Sequence, residues 1–382
     1  MSTSETTAGT TGNTTEKKVD WAELFFDLVV VFAVTQVSAL LHDDHSWAGT
    51  GKALLVFVPV YWTWGGTSVY ANTHDLGRPL DRLGIFTLGL CGLLMALAVP
   101  GAFGDRGVLF GAAYLVARVT LAALVFRRGP LAATPVSVSV VVTGPLLLAG
   151  GFLDGPARVA LWTLAAAVDL ASPRLTRKVL MRVAFDVGHL TERFGLLVII
   201  ALGESVVAIG VPVATAPHLA AGPLTAVIVA FVLTCGLWWV YFHFAAGAVR
   251  HGMETAAVPV DVMRHVLSYG HLAFIGAIIA VAVGMAEAVA HPADHLHLPV
   301  AALLYGGCAA YLAVFGYTRW RMFHTWSTTR LTTAALVLAL LPVATTIPAL
   351  AALTVLAAAV LLLNTVEYTM AARHAAAAPS SA

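Results

Sequence analysis

The chain has 382 residues, of which 59% are hydrophobic and 11% charged; 21 Lys and Arg face 20 Asp and Glu, for a net charge of +1. Soluble domains carry roughly 45–50% apolar and about 25% charged residues, so this composition excludes an ordinary water-soluble domain and points to a chain solvated by lipid. The near-zero net charge gives no electrostatic footprint for nucleic acid, and none is expected as a partner.

The first nineteen residues are rich in Ser, Thr and Gly and lack an apolar h-region and a cleavage site, so they read as a disordered tail rather than a signal peptide. Apolar stretches of membrane-spanning length then follow, centred near residues 32, 61, 92, 117, 141, 163, 203, 234, 279, 308, 338 and 359. With the N-terminus in the cytoplasm and loops assigned alternately, seventeen Lys and Arg fall inside. Three fall outside (Lys52, Arg106 and Arg158), and Arg118 lies within the fourth span. This is the positive-inside bias of a correctly placed topology. The predicted fold is an all-α polytopic membrane bundle of about twelve transmembrane helices with both termini cytoplasmic.

The first span opens Glu23-Leu-Phe-Phe-Asp27-Leu-Val-Val-Val-Phe and runs on to Gln36; the seventh opens Glu192-Arg-Phe-Gly-Leu-Leu-Val-Ile-Ile and continues to Glu204-Ser205. Aligning Glu23 with Glu192 superposes Phe25 on Phe194, Leu28 on Leu197 and Val29 on Val198. The fourth and tenth spans share Ala-Ala-Tyr-Leu (from Ala112 and Ala309), and the second and eighth share aromatic clusters that include Trp62, Trp64, Trp238 and Trp239. The matches predict two parallel six-helix repeats, residues 20–172 and 192–373, joined by a basic cytoplasmic linker over 173–191 and followed by a second tail over 374–382. Transporters place substrate sites between such halves near the bilayer midplane. Cys91, Cys235 and Cys308 all fall within spans and read as packing residues.

These residues carry a family resemblance. The Glu23–Phe32 opening with Gln36 resembles the first signature of the bacterial low temperature requirement A (LtrA) proteins. His189-Leu-Thr-Glu192-Arg193-Phe194-Gly195 through Glu204-Ser205 is similar to a second, and Tyr269-Gly270-His271 with Glu287 to His291-Pro292 to a third. The resemblance spans roughly residues 20 to 320. It implies a polytopic protein of the bacterial inner membrane and does not imply a substrate or reaction.

Ionisable groups inside a bilayer are expensive and mark functional sites by default. Glu23 and Asp27 are one turn apart on a helix face, where desolvation and mutual repulsion favour holding a proton or a cation. Glu23 has an alternative as an interfacial charge near Arg193 of the paired helix. Glu204 lies twelve residues beyond Glu192, about 18 Å along the helix axis, with Ser205 placed to donate to it. Arg118 requires a carboxylate partner, with Asp27 and Asp169 as candidates. His243, His271 and Glu287 complete the ionisable set, with the histidines more easily read as packing residues than as relays. Trp62, Trp64, Trp238 and Trp239 are deep enough to line a cavity, whereas Trp21, Trp47, Trp162, Trp320 and Trp326 read as interfacial belt residues. Pro59, Pro145, Pro212 and Pro342 are candidate kinks.

Two outer loops, His42-Asp43-Asp44-His45 and the stretch holding His291, Asp294, His295 and His297, share imidazoles and carboxylates. Their spacing matches no standard metal motif, so solvated loop polarity is expected and no metal is predicted. No phosphate-binding glycine loop, nucleophile elbow or Asp-rich diphosphate motif is present, and no cofactor is implied. The leading functional reading is a proton- or cation-coupled secondary transporter of a small organic or lipid-like molecule, with Glu204 and Asp27 handling the coupling ion. A membrane-embedded acid-base enzyme is the alternative, for example an isoprenoid (terpene) cyclase with Glu204 or Asp27 as general acid. A lipid-binding or sensory protein is a third.

Overall fold

The computed structural model describes residues 17–127 and 133–377. Residues 1–16 and 378–382, which hold most of the two expected tails, and residues 128–132, with Arg128, lie outside the described residues. We number the long helices in chain order: α1 Trp21–Asp43, α2 Trp47–Thr73, α3 Pro79–Ala98, α4 Gly107–Phe126, α5 Pro135–Gly151, α6 Gly155–Leu175. The second part of the chain supplies α7 Val187–Ala214, α8 Ala221–Phe242, α9 Pro259–Ala290, α10 Leu298–Phe323, α11 Thr328–Ala344 and α12 Ala349–Ala377. Short helices Arg177–Leu180 and Ala246–Glu254 lie between them, and no strand occurs among the described residues.

Eight of these helices are long and apolar enough to cross a membrane: α1, α3, α4, α7, α8, α9, α10 and α12. α5 and α11 are apolar but shorter. α2 falls outside the set for a physical reason, since every residue from Val56 to Trp64 is buried in protein. The enclosed middle of α2 needs no lipid-facing leucines and carries Tyr, Trp and Thr, while Trp47 and Leu54 near its start are exposed. Elsewhere the bundle presents large apolar side chains outward, among them Phe86, Leu90, Leu97, Val207, Val211, Ile228 and Phe231. Apolar surface of that extent on a charge-poor bundle is what a lipid solvent requires.

The helix ends follow from local chemistry. Asp20 caps α1, accepting from the Ala22 N–H at 2.8 Å, while Glu23 reaches back to the Asp20 N–H at 3.1 Å. Asp186 caps α7 by accepting from the His189 N–H at 2.9 Å, so α7 begins five residues before the expected Glu192. The basic linker is correspondingly short, because Pro173 to Leu175 belong to α6. Lys17, assigned to the tail, is anchored: its ammonium donates to the carbonyls of Ala71, Asn72 (3.3 Å) and His74 (2.6 Å) at the C-terminal end of α2. Burial lowers the Lys17 ammonium below its usual pKa, opposed by nearby carboxylates. The other expected tail is helical as far as Ala377.

α7 packs most extensively against α9, and α1 lies against α2, α3, α7 and α9. Three helices contain a π-helical stretch, Ser139–Thr143 in α5, Met263–Gly270 in α9 and Ala302–Gly306 in α10. Such stretches often accompany functional sites. The one in α9 presents the Leu267 and Ser268 carbonyls to the Tyr61 hydroxyl at 3.1 and 2.7 Å.

Candidate functional site

At the Lys17 end of the bundle, α1 and α7 face each other with two matched pairs, Glu23 and Asp27 against His189 and Arg193. Each pair is spaced by four residues, so each lies on one helix face. Arg193 donates to Asp27 through both terminal nitrogens, at 2.5 Å to Oδ2 and 2.9 Å to Oδ1, and its Nε lies 3.2 Å from Glu23 Oε2. The Trp64 indole donates to Asp27 at 2.9 Å, and the guanidinium sits 5.7 Å from the Trp64 ring centre. The Asn72 amide pairs with the backbone of Asp186, donating at 2.8 Å and accepting at 3.1 Å, which fixes its orientation. Its nitrogen therefore donates to His189 Nδ1 at 3.1 Å. The His189 proton then sits on Nε2 and is donated to Glu23 at 3.1 Å. Glu23, Asp27, Trp64, His189 and Arg193 are all buried. Arg193 Nε and Glu23 Oε2 meet as an ion pair without a hydrogen bond among the described residues, and the network as a whole pins α1, α2 and α7 together.

Arg118 and Asp169 are arranged differently. Asp169 accepts from the Tyr114 hydroxyl, from Ser139 at 2.7 Å and from Thr143 at 2.9 Å, the latter two on the π-helical stretch of α5. Arg118, 2% exposed, stacks its guanidinium 4.9 Å from the Tyr114 ring centre and makes no carboxylate ion pair within 4.0 Å among the described residues. Neither candidate pairs with Arg118 directly: Arg193 already holds Asp27, and Asp169 is bonded by the hydroxyls of Tyr114, Ser139 and Thr143. Arg118 Nε and Nη2 have no hydrogen-bond partner among the described residues. Gly66 permits this placement: a Cβ there would meet Arg118 Nη1 at 2.8 Å.

Arg118 and Gly66 stand on the wall of a cavity of about 230 Å³. Tyr61, Trp62, Tyr70 and His74 of α2, Phe185 and Phe194 around the start of α7, and Met263 and Ser268 of α9 line much of the rest. The lining is apolar and aromatic, apart from a few hydroxyls, His74 and the guanidinium. Trp62 lies in a stacked orientation 6.4 Å from Tyr269, and Phe194 touches both this cavity and Trp64 of the Arg193 network.

Glu204 is buried at the α1–α7 contact, 4% exposed, and accepts from the Thr35 hydroxyl at 2.5 Å with Ser38 beside it. No cation pairs with it among the described residues. Ser205, expected as its donor, points elsewhere, and its buried hydroxyl has no partner among the described residues. Consecutive helical side chains diverge by about 100°, so the donor comes from the facing helix instead. Gln36, next to Thr35, is half-buried.

The remaining expected residues divide by which way they face. Glu192 is exposed, although its alignment mate Glu23 is buried in the ion network. Trp238 and Trp239, at 42% and 41% exposure, lie on the outside of the bundle, and His243 stacks on Trp239 there at 4.8 Å. Among the described residues, neither tryptophan lines the cavity that Trp62 lines. Trp162, expected in the interfacial belt, is fully buried and donates to the Leu147 carbonyl at 3.0 Å. His271 is a satisfied core histidine: Nδ1–H donates to the Val266 carbonyl at 2.9 Å, and Nε2 accepts from the Tyr241 hydroxyl at 2.6 Å. Glu287 lies at the far end, with Oε1 3.5 Å from His42 Nδ1 and 3.7 Å from His45 Nε2. Burial keeps the His45 imidazole below its usual pKa.

His189 and Asn72 were not among the expected site residues, and Arg193 was expected only as a neighbour of Glu23. The signal was present in the spacing of four shared by Glu23–Asp27 and His189–Arg193, which sets two charge-complementary rows on facing helices. Thr35, Ser139 and Thr143 carried no such signal, since hydroxyl residues in apolar helices usually bond their own backbone.

An all-helical bundle with apolar outer faces and buried, internally paired charges defines a multi-pass membrane protein. Within that class the chain belongs to the bacterial low temperature requirement A (LtrA) family, whose model matches residues 18–365. It is similar to an uncharacterized protein of Rhizobium meliloti (strain 1021), 34% identical over 294 residues, covering 73% of this chain and 72% of that one. No solved structure matches the chain.

Proposed function

We propose that this protein is a secondary transporter of the bacterial inner membrane that moves a small amphipathic organic acid, coupled to a proton carried by Glu204. The observation that carries this reading is the aromatic cavity of about 230 Å³ with the Arg118 guanidinium on its wall, stacked on Tyr114 and with Nε and Nη2 free of hydrogen-bond partners among the described residues. A buried cation without a full set of partners is costly, and an anionic ligand head would supply what is missing. The surrounding rings suit an apolar or aromatic body on that ligand. Glu204 adds a buried carboxylate hydrogen-bonded by hydroxyls and free of cations among the described residues, the kind of intramembrane acid that serves in proton relays. Movement of one anion with one proton is electroneutral, so the bilayer potential would not oppose it.

Twelve spans in two parallel repeats, with both termini cytoplasmic, remain the topology we favour; the gathering of Lys17, Arg82, Arg127 and Arg177 at the cavity end supports it. The cyclase alternative needs an unpaired acid facing aromatic surfaces. Asp27 is held by Arg193; Glu204 is free of cations among the described residues but meets the hydroxyls of Thr35 and Ser38. Trp238 and Trp239 face outward, so no unpaired acid is seen set against an aromatic surface among the described residues.

The test is an untargeted comparison of metabolites in cells and medium for a host expressing wild type, Arg118→Gln, Glu204→Gln or nothing. Transport predicts that an existing organic acid shifts between compartments with the wild type alone. A compound absent from the empty control, and lost in Glu204→Gln, would replace the transporter reading with an enzyme. No difference at matched membrane protein levels would contradict both.

A further inference from the structure

We propose that His42, His45 and Glu287 form a divalent-metal site, with Zn²⁺ as the preferred ion, clamping the end of α1 to the end of α9. The inference is independent of the transport reading. His42 lies nineteen residues from Glu23, so the site is about 28 Å along α1 from the Arg193 network. One ligand atom from each residue falls within 4.8 Å of the other two, with both imidazoles directed at a single carboxylate oxygen. Zinc bonds of about 2.0–2.1 Å place tetrahedral ligand atoms roughly 3.3–3.5 Å apart; the 3.5 and 3.7 Å separations to Glu287 nearly match this, and the two histidine nitrogens lie within 4.8 Å of each other, a gap that side-chain rotation closes.

An ordinary histidine–carboxylate pair explains this geometry less well. The two imidazole centres are 5.5 Å apart, and both rings bring a nitrogen to the one Glu287 oxygen at 3.5 and 3.7 Å, longer than ordinary hydrogen bonds, whereas one dication satisfies all three groups. His45 Nε2 is buried and has no hydrogen-bond partner among the described residues, so a ligand-competent nitrogen is already aimed at the site.

The site is held rather than loosely assembled. Asp44 Oδ1 accepts from the Ser46 N–H at 3.1 Å and Ser46 Oγ accepts from the Gly49 N–H at 3.0 Å, tightening the turn that carries His45. A Cβ at Gly49 would lie 2.0 Å from the Asp44 carbonyl oxygen, so only glycine allows that close return. Glu287 also lines a cavity of about 280 Å³ with His291, Asp294, His295 and His297. Three protein ligands leave a fourth position for water or for one of these side chains, and the cavity gives the ion a route in.

The experiment uses the full chain without a polyhistidine tag, stripped with chelator and titrated with Zn²⁺ alone by calorimetry and by thermal unfolding. We expect one Zn²⁺ per chain and a higher unfolding midpoint with the ion bound. His45→Ala and Glu287→Gln should each weaken binding about ten-fold or more and abolish the midpoint shift. The half-exposed His42→Ala should do the same while unfolding at the wild-type midpoint without metal, which separates ligand loss from misfolding. Removing His291, His295 and His297 together should leave the affinity within about ten-fold. Absence of stoichiometric binding to wild type, or binding unchanged in His45→Ala, would overturn the site.

Discussion

Arg193 and Arg118 are both almost completely buried, at 0% and 2% exposure, and both stack against an aromatic ring. Arg193 spends its guanidinium on two carboxylates from α1, and those carboxylates are in turn bonded by Trp64, His189 and the Asp20 backbone. Arg118 leaves Nε and Nη2 without partners among the described residues. That same edge is the one Arg177 and Arg330 use elsewhere in the chain, to Asp261 at 2.8 and 2.6 Å and to Glu367 at 2.8 Å twice. A buried charge neutralised by carboxylates specifies how helices assemble. One beside a cavity with no carboxylate within 4.0 Å among the described residues is what we propose as the site for an anionic ligand.

The sharpest way to break the comparison is to remove each arginine in turn. Arg193→Met strands two buried carboxylates and should cost about 3–5 kcal/mol, seen as lost membrane yield or a large fall in unfolding temperature. Arg193→Lys should recover little of this, since an ammonium cannot reproduce the two-pronged contact. Arg118→Gln removes no ion pair, so folding should survive, while affinity for an acidic ligand should fall by about 1.5–3 kcal/mol in a direct binding assay. Equal stability losses in both variants would erase the distinction drawn between them.

Smaller effects sharpen it. Glu204→Gln keeps an acceptor for Thr35, so stability should change by about 1 kcal/mol or less, while flux in reconstituted vesicles should lose its dependence on the proton gradient. Glu192→Gln, on the exposed face, should shift stability by no more than about 0.5 kcal/mol and leave flux intact. A strong flux defect in Glu192→Gln would argue that the repeat carries function in both halves.

Much of the architecture could be read from hydropathy, because lipid and protein both demand long apolar helices, and the motifs around Glu23, Arg193 and Glu204 were enough to place the family. What sequence could not supply was the direction each side chain faces. Glu23 and Glu192 align, yet one is walled in by α2 and α7 and the other is open to the surface. Trp64 and Trp239 look equivalent, yet Trp64 sits in the enclosed middle of α2 and Trp239 on an open face of α8. Ser205 lies next to Glu204 in sequence, but Thr35 on the opposing helix meets it in space. His42 and Glu287 are separated by most of the chain, and only the packing of α1 on α9 brings them together.

The measurement that bears most directly on the central claim is calorimetric titration of the chain in lipid nanodiscs with phenylacetate, octanoate and phenylphosphate, wild type against Arg118→Gln. Phenylacetamide serves as the neutral control. The account predicts that at least one acid binds wild type, that it binds Arg118→Gln about ten-fold or more weakly, and that the amide binds neither well. Binding unchanged in Arg118→Gln, an amide bound as tightly as its acid, or no binding of any of the three acids would contradict it.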